Sequence, residues 1–272
     1  MLTIDEIKKK KDEYSMTNAQ LAMVSGVPLG TVQKVLGNVT KSPRLETVEA
    51  LSKVFEEKPA PAYSVNPRPN IILAFNTHEY DRQGEYTIDD YLALPDEQRV
   101  ELIDGVFYDM SAPTAYHQLI GGEIYAQIRN FIRANNGDCV AFVAPTDVQL
   151  NCDNRTMVQP DVMVVCRRDK ITHKRIFGSP DFVCEVLSPS TKAKDLMIKN
   201  YKYQEAGVRE YWLIDPYRET VMVYDFRDGV DVKWYTFEDC IPLLIFDGAL
   251  SIDMKDIREY LSFAAPADGQ DY

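Results

Sequence analysis

The stretch FVCEVL, residues 182–187, sets the problem that this chain must solve. It reads as an apolar, buried strand, yet it carries a carboxylate, Glu185, near its end. A buried carboxylate without a partner is costly. A second apolar strand, VQPDVMVV, carries Asp161 at its head. If the two strands pair, both carboxylates meet at one end of a sheet. Two such groups repel, and one should then hold a proton.

A divalent cation between them removes both difficulties. Hard oxygen donors with room for water suit Mg²⁺ or Mn²⁺. A Ser-Pro-Ser-Thr loop follows Glu185, and then KAKDLMIKNYKYQEAG, a lysine-rich helix that stops at Gly207. Lys199 sits on that helix four residues past Asp195. An ammonium beside a metal could polarise a water and stabilise a pentavalent phosphate.

The rest of the chain supplies the frame. Residues 1–58 read as four short helices. Thr3 and Glu6 have capping-box spacing, Gly26 ends the second helix, and Pro28 stands near the start of the third. The fourth presents Leu45, Val48, Leu51, Val54 and Phe55 on one face. Residues 59–82 hold four prolines and little periodicity, which predicts an extended linker or irregular arm.

From residue 83 to 265, strands and helices mix. A helix capped by Thr87 leads to RVELIDGVFYDM, a hairpin turning at Asp104-Gly105. A long helix, TAYHQLIGGEIYAQIRNFIRANN, comes next. CVAFVAPTDVQL, MVQPDVMVVC, DFVCEVL, REYWLIDP, TVMVYDF, VKWYTF and LLIFDGALSID each read as a strand. The expected class is α/β (α+β), a mixed sheet flanked by helices.

Charge narrows the possible partners. The net charge is −12. Residues 1–58 are near neutral, with nine basic and eight acidic side chains, so the body carries the excess. An acidic body does not bind nucleic acid by bulk charge; contact must be local or bridged by a metal. No apolar run is long enough to span a bilayer, and the N-terminus has no apolar core of a secretory signal. The five cysteines are scattered and read as buried thiols of a reducing cytoplasm. The three histidines lack zinc spacing.

Two resemblances sharpen these expectations. The spacing of Ala22, Gly26 and Val32 resembles the helix-turn-helix of the Cro-like, Xre-type repressor family. It implies a third helix in the DNA major groove, with Leu29, Thr31, Gln33 and Lys34 exposed near its start. Its plainer alternative is a small bundle for dimerisation or protein contact.

The ordered set ELIDG, QPDVMVV, DFVCEVLSPST, DLMIK and GVREYWLIDP resembles the bacterial Uma-type endonucleases of the PD-(D/E)xK, restriction-endonuclease-like superfamily. That implies metal-dependent hydrolysis of DNA phosphodiesters. Asp161 and Glu185 match the motif carboxylates, and Glu101 matches the upstream acidic position as a third ligand. Where the superfamily has Glu-x-Lys, this chain has Glu-Val-Leu. The lysine is then expected on the next helix, at Lys199, with Lys192, Lys194 and Lys202 as rivals.

The expected protein is a cytoplasmic endonuclease with a DNA-binding N-terminal domain, and a homodimer is one possible state. The alternative is a non-enzymatic, DNA-binding regulator with an inactive nuclease-like domain. His117, Gln159 and Asp147 are further candidates for the site. Plainer readings stand beside these. Asp161 could cap a turn, and Glu185 could pair with Lys194 or Arg209. Glu101 could be a solvated hairpin residue, and His117 a surface or satisfied core histidine. Ser188, Ser190 and Thr191 read as a helix cap, and Tyr211 and Trp212 as core or interface aromatics.

Overall fold

A computed structural model gives the fold. It describes residues 2–13, 18–37, 39–40, 43–55, 82–95, 98–150, 153–188, 191–192 and 194–265. The chain divides into two compact units, Met1–Ala74 and Phe75–Tyr272. The expected linker lies outside the described residues except for Arg82.

The first unit is helical: α1 (Ile4–Glu13), α2 (Asn18–Ser25), α3 (Leu29–Leu36) and α4 (Leu45–Lys53). The Thr3–Glu6 capping box forms, with the Thr3 amide donating to Glu6 at 2.7 Å. Each helix contributes at least one fully buried apolar side chain to the core, among them Ile7, Leu21, Val32 and Leu51. Ala22 is buried too, and Gly26 turns the chain between α2 and α3 at φ 74°. That left-handed conformation favours glycine because it has no Cβ. Leu45, expected on the apolar face of α4, is 62% exposed, because it occupies the first helical position, at the margin of the packed face.

The second unit holds three sheets. A five-stranded sheet has the order β2-β1-β5-β4-β7. Its strands are β1 (Val100–Ile103), β2 (Val106–Asp109), β4 (Val148–Gln149), β5 (Met157–Val158) and β7 (Ile176–Phe177). A six-stranded sheet has the order β11-β10-β9-β8-β6-β3. Its strands are β3 (Val140–Val143), β6 (Val162–Val165), β8 (Phe182–Val186), β9 (Glu210–Asp215), β10 (Thr220–Asp225) and β11 (Asp231–Thr236). A small ribbon pairs β12 (Cys240–Pro242) with β13 (Ser251–Asp253). Both large sheets are mixed, with β8–β9 and β4–β7 parallel and the other pairs antiparallel. This is the α/β, restriction-endonuclease-like architecture expected from the sequence.

The described helices of this unit are the short α5 (Ile88–Leu92), the long α6 (Ala115–Ala134), and the short α7 (Asn200–Ala206) and α8 (Met254–Tyr260). Ile120, Ile124, Ile128 and Ile132 of α6 share one core with Val162, Val164, Cys184 and Val186. Trp212 joins that core edge-on to Phe182, with ring centroids 5.5 Å apart. Successive side chains on a strand point to opposite faces. Tyr211 therefore faces away from α6 and meets Tyr203 of α7, with centroids 5.0 Å apart. By the same alternation Glu185 faces α7, while Cys184 and Val186 face α6.

Three expected strands are divided. CVAFVAPTDVQL breaks at Ala144-Pro145 into β3 and β4, and MVQPDVMVVC breaks at Gln159-Pro160-Asp161 into β5 and β6. Proline offers no N–H to a ladder, and at each break the chain passes between the two large sheets. LLIFDGALSID is a 3₁₀ turn at Leu244–Phe246 followed by β13. The lysine-rich helix opens as a π-helical turn, Lys194–Lys199, before α7. The hairpin turns as expected, with Asp104 and Gly105 at φ 51° and 79°.

The reading of the cysteines as thiols needs correction. Cys139 and Cys166 form a disulfide. The β3–β6 register, Val140 opposite Val165, puts these flanking residues face to face. Cys184 is a buried thiol and Cys240 an exposed one, while Cys152 lies outside the described residues. Among the described residues no helix is long and apolar enough to cross a membrane.

Glu210, at the start of β9, is a fully buried carboxylate that ties down the Leu244–Phe246 turn. It accepts hydrogen bonds from Trp212 Nε1 at 2.7 Å and from the Ile245 amide at 2.9 Å. Burial pushes its carboxyl up from 4.5 to about 7. The folded state thus holds this proton more tightly than the unfolded chain. The stabilisation is complete below the ordinary value and is lost as pH rises through the shifted one. Urea denaturation between pH 4.5 and 7 should show wild-type stability falling relative to Glu210→Gln across that window. The expected difference is about 2–3 kcal/mol, at about 1.4 kcal/mol per pKa unit; parallel profiles would refute it.

Candidate active site

Lys199 is the centre of a buried ionic cluster. Its Nζ lies 2.7 Å from Glu101 Oε1, 2.9 Å from Glu185 Oε1 and 3.5 Å from Asp195 Oδ1. Glu101, on β1, is fully buried, and its other oxygen takes Lys194 Nζ at 2.6 Å. One carboxylate therefore receives two ammonium groups from positions five apart on one segment.

The π-turn makes this possible. In an α-helix five residues sweep about 500°, which places them on different faces. The wider i→i+5 winding of a π-helix returns them to nearly the same face.

Charge sharing follows from these distances. Burial would raise the Glu101 carboxyl, but Lys194 and Lys199 override it and hold it below the ordinary range. Glu185 goes the other way. Burial raises it, and Asp161, Asp195 and Glu101 raise it further against the pull of Lys199. Asp195 is raised by burial as well, and its Oδ1 is buried without a hydrogen bond. The cluster holds more carboxylate than its ammonium groups neutralise. Tyr203 of α7 donates its hydroxyl to Glu185 Oε1 at 2.7 Å. Among the described residues Glu185 Oε2 takes no hydrogen bond; those from Lys199 and Tyr203 both go to Oε1.

Asp161 stands just before β6. The antiparallel β6–β8 register pairs Val162 with Cys184, so Asp161 comes opposite Glu185 at one end of the sheet. Its Oδ2 accepts from the Val186 amide at 2.8 Å. His117 Nε2, from the first turn of α6, lies 3.0 Å from the same oxygen. That approach lacks hydrogen-bond alignment, and both ring nitrogens are buried without a hydrogen bond.

Gln159 extends the cluster. Its amide donates to Glu101 Oε1 at 3.0 Å, and its Nε2 donates to Asp147 Oδ1 at 2.9 Å. Tyr91 of α5 donates to the same Asp147 oxygen at 2.9 Å.

The expected residues thus sort by position. Glu101, Glu185 and Lys199 touch; Asp161 flanks Glu185 with His117 beside it; Gln159 and Asp147 join through Glu101. Of the rival lysines, Lys194 enters the cluster. Lys192 pairs with Asp215 at 2.8 Å, and Lys202 with Asp104 at 2.9 Å. Arg209 turns to Asp181, at 3.6 Å, and not to Glu185. Ser188 caps the turn that follows it, accepting from the Thr191 amide at 3.3 Å. In the helical unit Gln33 and Lys34 are exposed on α3, while Leu29 and Thr31 are half-buried.

Sequence reasoning missed Tyr203, Asp195 and Tyr91 as members. Asp195 and Tyr203 stand four residues before and after Lys199, a spacing that puts neighbours on one helix face. Tyr91 gave no such signal. Among the described residues no three His, Cys, Asp or Glu side chains are grouped to hold a metal by themselves.

Residues 88–254, more than half of the chain, match the Uma2 family, described as "Putative restriction endonuclease". Over 180 residues the chain is 29% identical to "Uncharacterized protein slr1290" of Synechocystis sp., a match covering 65% of this chain and 87% of that one. A crystal structure from Anabaena variabilis, titled a "putative nuclease belonging to DUF820", is similar with TM-score 0.54 at 23% identity. It covers 64% of this chain and 98% of its own. At that identity the likeness speaks for the fold.

The Lys194–Glu101 pair allows a direct test of this geometry. Removing one partner of a buried pair costs about 3–5 kcal/mol, because the other charge is stranded. Lys194→Met should lose that much in urea denaturation. Adding Glu101→Gln should cost less than the sum of the two single changes, by about 0.5–3 kcal/mol. Additive losses would mean that the two side chains are not coupled.

Proposed function

The chain belongs to the Uma2 family of restriction-endonuclease-like proteins, and on that premise we propose that it is a divalent-metal-dependent DNA endonuclease. One observation carries the reading. Asp161, at the head of β6, comes opposite Glu185 of the neighbouring β8, and the ammonium of Lys199, from a separate segment, lies 2.9 Å from Glu185.

The donor set fits a hard divalent cation. The cluster has surplus carboxylate, and the Asp195 oxygen at 3.5 Å from Lys199 has no hydrogen bond. Glu185 Oε2 accepts none of the cluster's hydrogen bonds, and Asp161 Oδ2 accepts only the Val186 amide, which leaves it a further lone pair. These two residues would hold Mg²⁺ or Mn²⁺, with water and substrate phosphate completing the shell, as such ions commonly require. When bound, the ion neutralises phosphate charge and acidifies a water.

The chain's own residues do the rest. Lys199 offsets the negative charge that builds on the phosphate during attack. Glu101 holds Lys199 in place and is itself saturated by Lys194, Lys199 and the Gln159 amide. It therefore acts in this reading as a positioning residue, not as the third metal ligand that the sequence suggested. Tyr203 orients Glu185 through Oε1 and leaves Oε2 for the ion. The buried surroundings keep bulk water from screening these charges.

The helical unit would bind the target DNA through α3. The buried Ala22 and Val32 around a left-handed Gly26 support this reading, and Gln33 and Lys34 are the exposed side chains best placed to reach base edges. Deleting residues 1–58 should then lower DNA affinity and flatten its salt dependence.

Nicking of supercoiled plasmid tests the main reading. Wild type should nick with Mg²⁺ or Mn²⁺ and stop in EDTA, and Asp161→Asn and Glu185→Gln should each abolish nicking while keeping the wild-type circular dichroism. Cutting that survives EDTA, or equal cutting by Asp161→Asn, would sink the metal role. A stable, sequence-selective DNA complex without cleavage would favour the regulator alternative.

A further inference from the structure

His117 lies beside Asp161, with Nε2 at 3.0 Å from Oδ2 and both ring nitrogens buried without a hydrogen bond. Buried polar groups almost always have partners, and an unsatisfied one costs about 1–3 kcal/mol. The ring is nevertheless firmly placed. It sits in the first turn of α6, where its backbone amide donates to the Thr114 cap at 3.2 Å. Ile120 and Ile124 anchor that helix in the core.

The approach to Asp161 has a shape of its own. Nε2 and Oδ2 are 3.0 Å apart, yet the ring does not aim an N–H at the oxygen. Two donors at right angles on one ion, with bonds of about 2.1 Å, also stand about 3 Å apart. The separation that fails as a hydrogen bond is the separation of adjacent ligands.

We propose that His117 is a ligand of the cation that Asp161 binds, and that the site therefore takes first-row divalent ions such as Mn²⁺ in preference to Mg²⁺. This rests on the metal-dependent reading above and deepens it by naming the class of ion. Mg²⁺ keeps oxygen ligands and sheds water reluctantly. Imidazole nitrogen suits transition metals, and mixed nitrogen and carboxylate donors shift preference toward them. His117 and Asp161 supply such a mixture from two different elements, α6 and the head of β6.

The test uses the full chain and Mn²⁺ alone, observed by electron paramagnetic resonance. Bound Mn²⁺ should show ¹⁴N coupling from imidazole in its electron spin echo. The coupling should vanish in His117→Ala and His117→Gln. His117→Ala should lose at least about tenfold in Mn²⁺ affinity, the loss that even an outer-shell partner can cause. Mg²⁺ affinity, measured by competition, should change far less.

His117→Gln guards against a folding defect in the alanine variant, because its amide oxygen can still take a hard ion. It should bind Mg²⁺ at wild-type strength. Bound Mn²⁺ without ¹⁴N coupling, or unchanged Mn²⁺ affinity in both His117 variants while Asp161→Asn loses it, would overturn the proposal and leave the metal reading standing. Mn²⁺ affinity that survives Asp161→Asn as well would instead overturn the metal reading itself.

Discussion

The buried ammonium of Lys199 is the constraint around which the second unit is arranged. A lysine that is 4% exposed cannot stay charged unless carboxylates surround it. Three do: Glu101 from β1, Glu185 from β8 and Asp195 from its own turn. Those carboxylates depend on Lys199 in return. Burial lowers an ammonium pKa, yet the three acids raise that of Lys199 well above its ordinary value. Neither sign of charge could be buried at this depth alone.

The two large sheets meet at this cluster because of where prolines fall. Pro160 ends the ladder of β5 in the five-stranded sheet, and β6 of the six-stranded sheet begins two residues later. The three-residue link Gln159-Pro160-Asp161 therefore touches both sheets. Gln159 bonds Glu101 on the first, and Asp161 faces Glu185 on the second. A continuous strand through 157–165 would leave Gln159 and Asp161 on one face of one sheet. The break lets neighbouring residues serve two acids that come from separate sheets.

Much of this was legible in the sequence. The apolar runs with one carboxylate each located Asp161 and Glu185, because a charge inside a buried strand needs a reason. The Asp104-Gly105 turn and the Thr87 and Thr3 caps depend only on local chemistry, and they formed as read. What stayed hidden depended on winding and pairing. A π-turn has no signature distinct from an α-helix in residue type, so Lys194 was a rival to Lys199 and not its companion. The sheet exchange at Pro145 and Pro160 was hidden because proline announces a break but not where the chain goes next. The Cys139–Cys166 bond needed the β3–β6 register, which twenty-seven residues of separation do not reveal. Tyr91 reaches Asp147 across fifty-six positions, and no periodicity connects them.

The ammonium beside Glu185 comes from the π-turn and not from the strand that carries Glu185. Residue 187 shares a strand face with Glu185, since positions two apart point the same way. A lysine there would bring its ammonium from the strand itself. This chain places Leu187 at that position, buried and bonded through its amide to the Ile214 carbonyl at 2.7 Å. The ammonium arrives from the π-turn instead. The change of origin carries a consequence. Lys199 reaches Glu101 and Asp195 as well as Glu185. The charge beside Glu185 is thereby tied to a second sheet through Glu101. Through Lys194 and Lys199 the π-turn is held to Glu101 of one sheet, and through Lys199 to Glu185 of the other.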